Sequence, residues 1–256
     1  MTILFEHDIG TAKHKLNFEN ISIIIPIFEE TSALEFSKFY FDKLNLKPTY
    51  ALDSKRIERR KSLEEILGQS VSVYDNPGNC IEANYETLAN LSTTDWILRI
   101  DCDEVPNLQL LEHCAKFIAR PTDAYCGFDR DDVLWRGSHF ERLKYNPFFF
   151  DSQYRLFNRR QVKFVKKIHT PGFEMPKWKL PLIPLWHGPL SARIYHLQRN
   201  FTSAQQRAEK VARYNSSGQS KTLGEWIRKD DESFKWTKLN APELNSIYSQ
   251  WLEKQL

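Results

Sequence analysis

The sequence predicts an α/β protein, a sandwich on a mostly parallel central sheet, closed by a helical C-terminal tail. Three observations carry this. Strand-length apolar runs alternate with amphipathic helical stretches from residue 21 to 119. The first run, ISIIIPIF (Ile21 to Phe28), is continuously apolar and β-branched, as in a strand buried on both faces. The tail, NAPELNSIYSQWLEKQL, places Leu244, Ile247, Tyr248, Trp251 and Leu252 on one helical face.

After the first strand, TSALEFSKFYFDKLN reads as a helix. Ser32 and Glu35 fit a capping box, and Phe36, Phe39, Tyr40 and Leu44 share a face. PTYALD is the second strand, ending at Asp53. SKRIERRKSLEEILG is a helix with Ile57, Leu63, Ile66 and Leu67 inward and Gly68 as its C-terminal cap. SVSVY is the third strand, Asn76-Pro77-Gly78 a turn, CIEANYETLANL a helix and DWILRID the fourth strand. NLQLLEHCAKFIA is a further helix, with Glu104 at its start. Beyond residue 120 the pattern is of shorter strands broken by Pro and Gly: AYCGFDRDDVLWRG, SQYRLFNRRQVKFV and IPLWHG. Within these, DRDDV reads as an exposed turn. TSAQQRAEKVARYN is a helix starting near Thr202 or Ser203. The last helix has Asn240 as N-cap, Pro242 in its first turn and Glu243 completing the box. Its stripe packs on its own domain or, secondarily, on a second copy or a membrane surface.

At 256 residues the chain fits one large domain or two small ones, and 41% hydrophobic with 27% charged residues suits an ordered soluble protein. The longest apolar run is too short to span a bilayer and contains a proline. No basic region followed by an apolar run opens the sequence, so no signal peptide is expected. Cys80, Cys102, Cys114 and Cys126 form no C-x-x-C pair, which favours reduced thiols in a cytoplasmic chain over a zinc site. Net charge is only +3, but residues 155–179 hold eight Lys or Arg against the single acid Glu174. This is either a solvated face or a site for a phosphorylated ligand or an anionic membrane surface. No nucleic-acid motif accompanies it, so nucleic acid is not an expected partner.

The densest chemistry lies in WILRIDCDEVP, residues 96 to 106. A strand run ends in Asp101, Asp103 and Glu104. Like charges about 6 Å apart repel by roughly 3 kcal/mol at an effective dielectric near 20, so such a cluster needs solvent, basic partners or a cation. Oxygen donors favour Mg²⁺ or Mn²⁺. In an extended chain Asp101 and Asp103 point to one side and Cys102 packs behind. By itself the D-x-D spacing reads first as a polar loop entry.

The successive motifs ISIIIPIFEE, YALDSK and DWILRIDCDE resemble those of family 2 glycosyltransferases, enzymes with the nucleotide-sugar-binding GT-A fold. FDSQYRLFNRR, KKIHTPGF and IYHLQRNFTSAQQRAEKVARYN are similar to the second half of that family's bacterial lipopolysaccharide-core and capsule branch. The resemblance covers about residues 20 to 215. It implies that Pro26, Phe28 and Glu30 hold the nucleotide base, with Phe28 also reading as a core phenylalanine. It implies that Asp53 contacts base or ribose, that Asn84 faces the donor, that Asp101 contacts ribose and that Asp103 binds the metal. Glu29 stands where the family has Asn, and the family's D-G-S-x-D-x-T element is here DSKRIERR.

For the metal's further ligand the resemblance ranks His169 first and His196 second, with His187 also present. Thr170 replaces the family's Glu after the first of these. Gln153 and Arg155 match the family's Q-x-R element, and Arg155, Arg159 or Lys166 would add positive charge at the phosphates. The candidate base is Asp151, which reads equally as a turn aspartate; Asp131 and Asp132 are its rivals.

The resemblance thus implies a metal-dependent transferase moving a sugar from a nucleotide-sugar donor, UDP favoured, to a glycan or lipid-linked acceptor with inversion. It would be cytoplasmic, peripheral at the inner face of the membrane. A catalytically degenerate binding protein in a glycan-assembly complex is the alternative. Nucleotidyl transfer ranks lower, because PIFEETSALEF lacks the glycines of a phosphate loop. The expected domains are 1–200, GT-A-like, with a nucleotide half at about 20–120 and an acceptor half at about 121–200, and a helical extension at 201–256.

Overall fold

The computed structural model describes residues 2–4, 15–27, 31–76, 84–119, 124–144, 152–166, 172–174, 188–216 and 234–256. Strands β1 (Thr2–Leu4) and β2 (Lys15–Asn17) form a separate antiparallel pair. The main sheet begins with the apolar run as β3 (Ile21–Ile27), buried almost throughout. Helix α1 (Thr31–Lys43) follows and buries Leu34, Phe36, Tyr40 and Phe41, while Phe39 is only half-buried. Next come β4 (Thr49–Asp53), α2 (Arg60–Leu67), β5 (Ser72–Tyr74), α3 (Tyr85–Ala89) and β6 (Trp96–Arg99).

Strand β3 pairs in parallel with β4 on one side and β6 on the other, and β4 pairs in parallel with β5. The chain therefore steps outward from β3 to β5 and then returns across β3 to β6. That reversal between β3 and β6 is a switch point, where parallel α/β sheets open a crevice at the carboxyl ends of their strands. Pairing of β6 with β3 stops at Ile24–Arg99, apart from the Ile100 N–H donating to the Ile24 carbonyl at 3.1 Å. Pro26 lies two residues further on, has no N–H to offer, and marks where the strands part.

The second half makes the sheet mixed. After β7 (Glu104–Pro106) and α4 (Leu108–Phe117) run β8 (Tyr125–Trp135), β9 (Phe140–Leu143) and β10 (Ser152–Asn158). β10 lies antiparallel between β6 and β8. β11 (Arg193–His196) inserts between β7, antiparallel, and β8, parallel. Helices α5 (Gln198–Phe201) and α6 (Ala204–Ser216) follow. Ser203 and Gln206 box the start of α6 reciprocally, at 2.8 and 3.2 Å. β12 (Trp236–Lys238) adds to the sheet edge through β9, and α7 (Pro242–Gln255) closes the described chain.

The α7 stripe packs inside the chain. Tyr248 and Trp251 meet the Phe36 ring edge-on at 5.0 and 5.5 Å, and Tyr248 also meets Phe140 at 4.9 Å. The stripe thus packs on its own domain, the first of the readings its spacing allowed. Among the described residues no helix is long and apolar enough to cross a membrane, and Cys102, Cys114 and Cys126 are buried free thiols.

Four sequence expectations are corrected. Ile57 is 50% exposed, because Ser54–Arg59 forms a 3-10 turn that is non-helical at Arg56 and precedes α2; Gly68 does cap that helix, at φ +59°. The N-cap of α7 is Ala241, leaving Asn240 outside. DRDDV lies within β8 with Asp129, Asp131 and Asp132 buried, and is no exposed turn. Glu104 is not a helix-start residue. Asn107 caps α4 by accepting from the Leu110 N–H at 2.9 Å, and Glu104 is fully buried in β7.

Candidate active site at the carboxyl rim of the sheet

Asp53 ends β4 on the rim. Its Oδ1 accepts the Lys55 N–H at 3.0 Å, and its Oδ2 accepts from the Asn76 side-chain amide at 3.0 Å. Asn76 Oδ1 in turn accepts from Asn84 Nδ2 at 2.5 Å. All three side chains are buried. Asp53 and Asn84, which the sequence assigns separately to the donor, are therefore one polar chain joined through Asn76. Asn76 was missed because it reads as a turn residue.

The loop after β6 is a compact ionic knot. Glu104 donates its N–H to the Asp101 carbonyl at 3.0 Å, and its Oε2 accepts the Asp101 N–H at 3.1 Å. The turn carrying the D-x-D is thus closed from both ends. Glu104 Oε1 accepts from Arg155 at 2.6 Å and from Arg130 at 3.3 Å. Arg155 also bridges to Asp101 Oδ2 at 2.8 Å, and Arg99 holds the same carboxylate at 2.9 and 3.1 Å. Arg155 owes its aim to a β-bulge. The β8–β10 register slips by one between Tyr154 and Leu156, and Arg155 is the additional residue. Burial, then Asp101, pushes the Glu104 carboxyl up to about 7 against Arg130, Arg99 and His196. Sequence reasoning passed over Arg99; a cation inside a buried apolar run beside clustered acids was the available signal.

His196 completes the site from β11. Its Nε2 lies 3.4 Å from Asp103 Oδ2, and its Nδ1 hydrogen-bonds the Asp132 carboxylate. Burial and Arg130 depress its pKa, but Asp103 and Asp132 prevail and lift it to about 10. The ring is an imidazolium clamped between two carboxylates.

The structure brings together Asp101, Asp103, Arg155 and His196, with Asp53 and Asn84 on the same rim and Pro26 near the carboxyl end of β3. Arg159 does not join them. In the turn just past the end of β10, it bonds the Ala89 carbonyl at 3.2 Å and lies 3.9 Å from Asp95. Lys166 is exposed beyond the Phe164–Phe173 bridge. Gln153 is half-buried opposite Phe128. Phe28, Glu30, Asp151, His169 and His187 lie outside the described residues.

Among the described residues no group of three His, Cys, Asp or Glu side chains is placed to hold a metal ion. Mg²⁺ sites, however, commonly use one or two protein carboxylates with substrate phosphates supplying further oxygens. Asp103 supplies one such carboxylate, and His196 would add a nitrogen only on giving up its Nε2 proton. Asp132 behind His196 fits the carboxylate that habitually backs a metal-binding imidazole.

No protein-family model matches the chain, and no curated protein sequence matches it. Solved structures offer distant likenesses. TarS of S. aureus is 12% identical over 81% of this chain and 42% of that one, with a TM-score of 0.40. CMP:2-keto-3-deoxy-manno-octonic acid synthetase complexed with CTP is 8% identical over 56% and 75%, at 0.36. The inositol-1-phosphate CTP transferase from T. maritima is 10% identical over 91% and 96%, at 0.35. Likeness of this degree decides neither family nor activity.

Proposed function

We propose that the chain is a nucleotide-sugar-dependent glycosyltransferase that moves a sugar, with inversion, onto a glycan or lipid-linked acceptor of the lipopolysaccharide-core or capsule type. The observation that carries this reading is the meeting of Asp101 and Asp103, in the loop after β6, with Arg155 from β10 and His196 from β11, on the same rim where β4 ends in Asp53. In this reading Asp53, held by Asn76 and Lys55, faces the base or ribose. Asp101 receives a ribose hydroxyl. A carboxylate has about four lone-pair sites, so the two arginines leave room. Arg155 sets positive charge beside the diphosphate, through a planar fork suited to phosphate.

Asp103 and His196 would hold Mg²⁺ or Mn²⁺, which when bound supplies Lewis-acid stabilisation of the leaving nucleoside diphosphate. Asp151 remains the proposed base. Asp132 is a poor rival, buried and engaged by His196. The proposed setting is the cytoplasmic face of the membrane.

A thermal-shift screen with UDP-, GDP-, CMP- and dTDP-sugars, with and without Mn²⁺, tests the reading. Stabilisation that needs both metal and nucleotide, and is lost in Asp103→Ala, supports it. Absence of response to every nucleotide overturns it.

A further inference from the structure

We infer that Asp132 is a positioning residue that fixes which ring nitrogen of His196 faces the cation. This rests on the reading of Asp103 and His196 as cation ligands and deepens it.

The argument begins with strand register. β11 lies between β7 and β8, so His196 stands opposite Glu104 on one side and Asp132 on the other. The imidazole is therefore held laterally by two strands and does not hang from a loop. Its two nitrogens meet different carboxylates, Asp132 at Nδ1 and Asp103 at Nε2, the latter at 3.4 Å.

An imidazole binds a metal through the nitrogen that carries a lone pair, and the hydrogen bond made by the other nitrogen decides which one that is. A carboxylate at Nδ1 accepts an N–H there. When a cation displaces the Nε2 proton that the ion-free ring directs at Asp103, Asp132 keeps the Nδ1 proton in place and the lone pair is left at Nε2. The reverse tautomer would turn an N–H toward Asp103 and set a lone pair against the Asp132 carboxylate. Asp132 touches the ring on the side away from Asp103, so it acts through His196 and is not itself a ligand.

The neighbouring acid does not substitute for it. Asp131 is directed to Arg193, 3.8 Å away, as alternation along β8 requires. Asp129 bonds Arg193 at 2.9 Å and accepts from the Ser152 hydroxyl at 3.2 Å. In the segment DRDDV, one acid of three therefore serves the site.

The test is Mn²⁺ titration of the full chain with saturating UDP, and separately GDP, followed by electron paramagnetic resonance. Asp132→Asn is expected to weaken Mn²⁺ by about 10–100-fold. Asp131→Asn should bind like the wild type, and Asp103→Asn should lose the protein-bound signal. Binding by Asp132→Asn within about twofold of wild type overturns the inference while leaving the cation site standing. If wild type binds no Mn²⁺ with either nucleotide, the cation reading falls and the inference with it. A second measurement needs no variant. In the wild-type Mg²⁺–UDP state, ¹⁵N-histidine NMR should show His196 protonated at Nδ1 and bare at Nε2. Protonation at Nε2 with a bare Nδ1 overturns the assignment.

Discussion

Arg155 and Glu104, 51 residues apart in sequence, meet at 2.6 Å with both side chains almost wholly out of solvent. Glu104 also fastens the Asp101 N–H and Arg130, so one carboxylate joins the D-x-D turn to β8 and β10. Removing one partner of a buried ion pair strands the other. Glu104→Gln should cost about 3–5 kcal/mol of stability, and Arg155→Met a similar amount. The double variant should cost well under the sum, because neither charge is then left alone. Urea unfolding of the three variants measures this, and simple additivity would contradict it.

The His196 imidazolium makes stability depend on pH in a definite sense. Folding raises its pKa from 6.5 to about 10, so in that window the folded chain holds a proton that the unfolded chain has lost. The stabilisation is complete below about 6.5 and disappears as pH climbs through about 10. Glu104, raised from 4.5 to about 7, acts in the same sense at lower pH. Wild type should therefore lose its advantage over His196→Gln between pH 6.5 and 10. Urea midpoints at pH 6, 8 and 10 decide it; a constant difference would refute the clamp.

Gly172 has no room for a methyl group. Its φ is +79°, and an added Cβ would lie 2.2 Å from the Tyr85 ring. That ring is stacked on Phe157 and carries the Arg99 guanidinium at 4.9 Å. Gly172→Ala should destabilise by about 2–4 kcal/mol, from the left-handed backbone and the forced ring shift together. The shift should also disturb Arg99 and, through it, Asp101. Adding Tyr85→Ala should relieve the steric part. Thermal melts of the single and double variants test this.

Two apolar positions should behave oppositely. Trp251 is buried against Phe36 and Phe201, and its replacement by Ala should cost about 3–5 kcal/mol. Ile57, outward on the 3-10 turn, should tolerate Ser within about 0.5 kcal/mol. Denaturant midpoints would expose any reversal.

The parallel half of the fold was legible because its signals are local. Ile21 to Ile27 has one reading as a buried strand, and the spacing of Leu244, Ile247, Tyr248 and Trp251 one reading as a packed helix. The rim acids Asp53, Asp101 and Asp103 were legible for the same reason, each sitting where an apolar run stops. The acids of β8 were not. Asp129 and Asp132 find their compensating partners in Arg193 and His196, both 64 residues downstream, and without those partners the alternating charges look solvated. Glu104 was misread because its competitor for the helix start, Asn107, looks no better in sequence; only burial and the arrival of Arg155 separate them. Ile57 failed because a helical period was carried through a turn that breaks at Arg56.

The insertion of β11 between β7 and β8 has a consequence in time. Strands β3 to β6 can associate from neighbouring sequence, whereas Arg155 and His196 reach the acidic loop only after long loops close, and closure must precede the contacts that reward it. Until then Asp101, Asp103 and Glu104 face one another with Arg99 as their nearby cation. Docking of β10 and β11 thus brings Arg155 and His196 across long sequence separations to neutralise a rim that would otherwise repel itself.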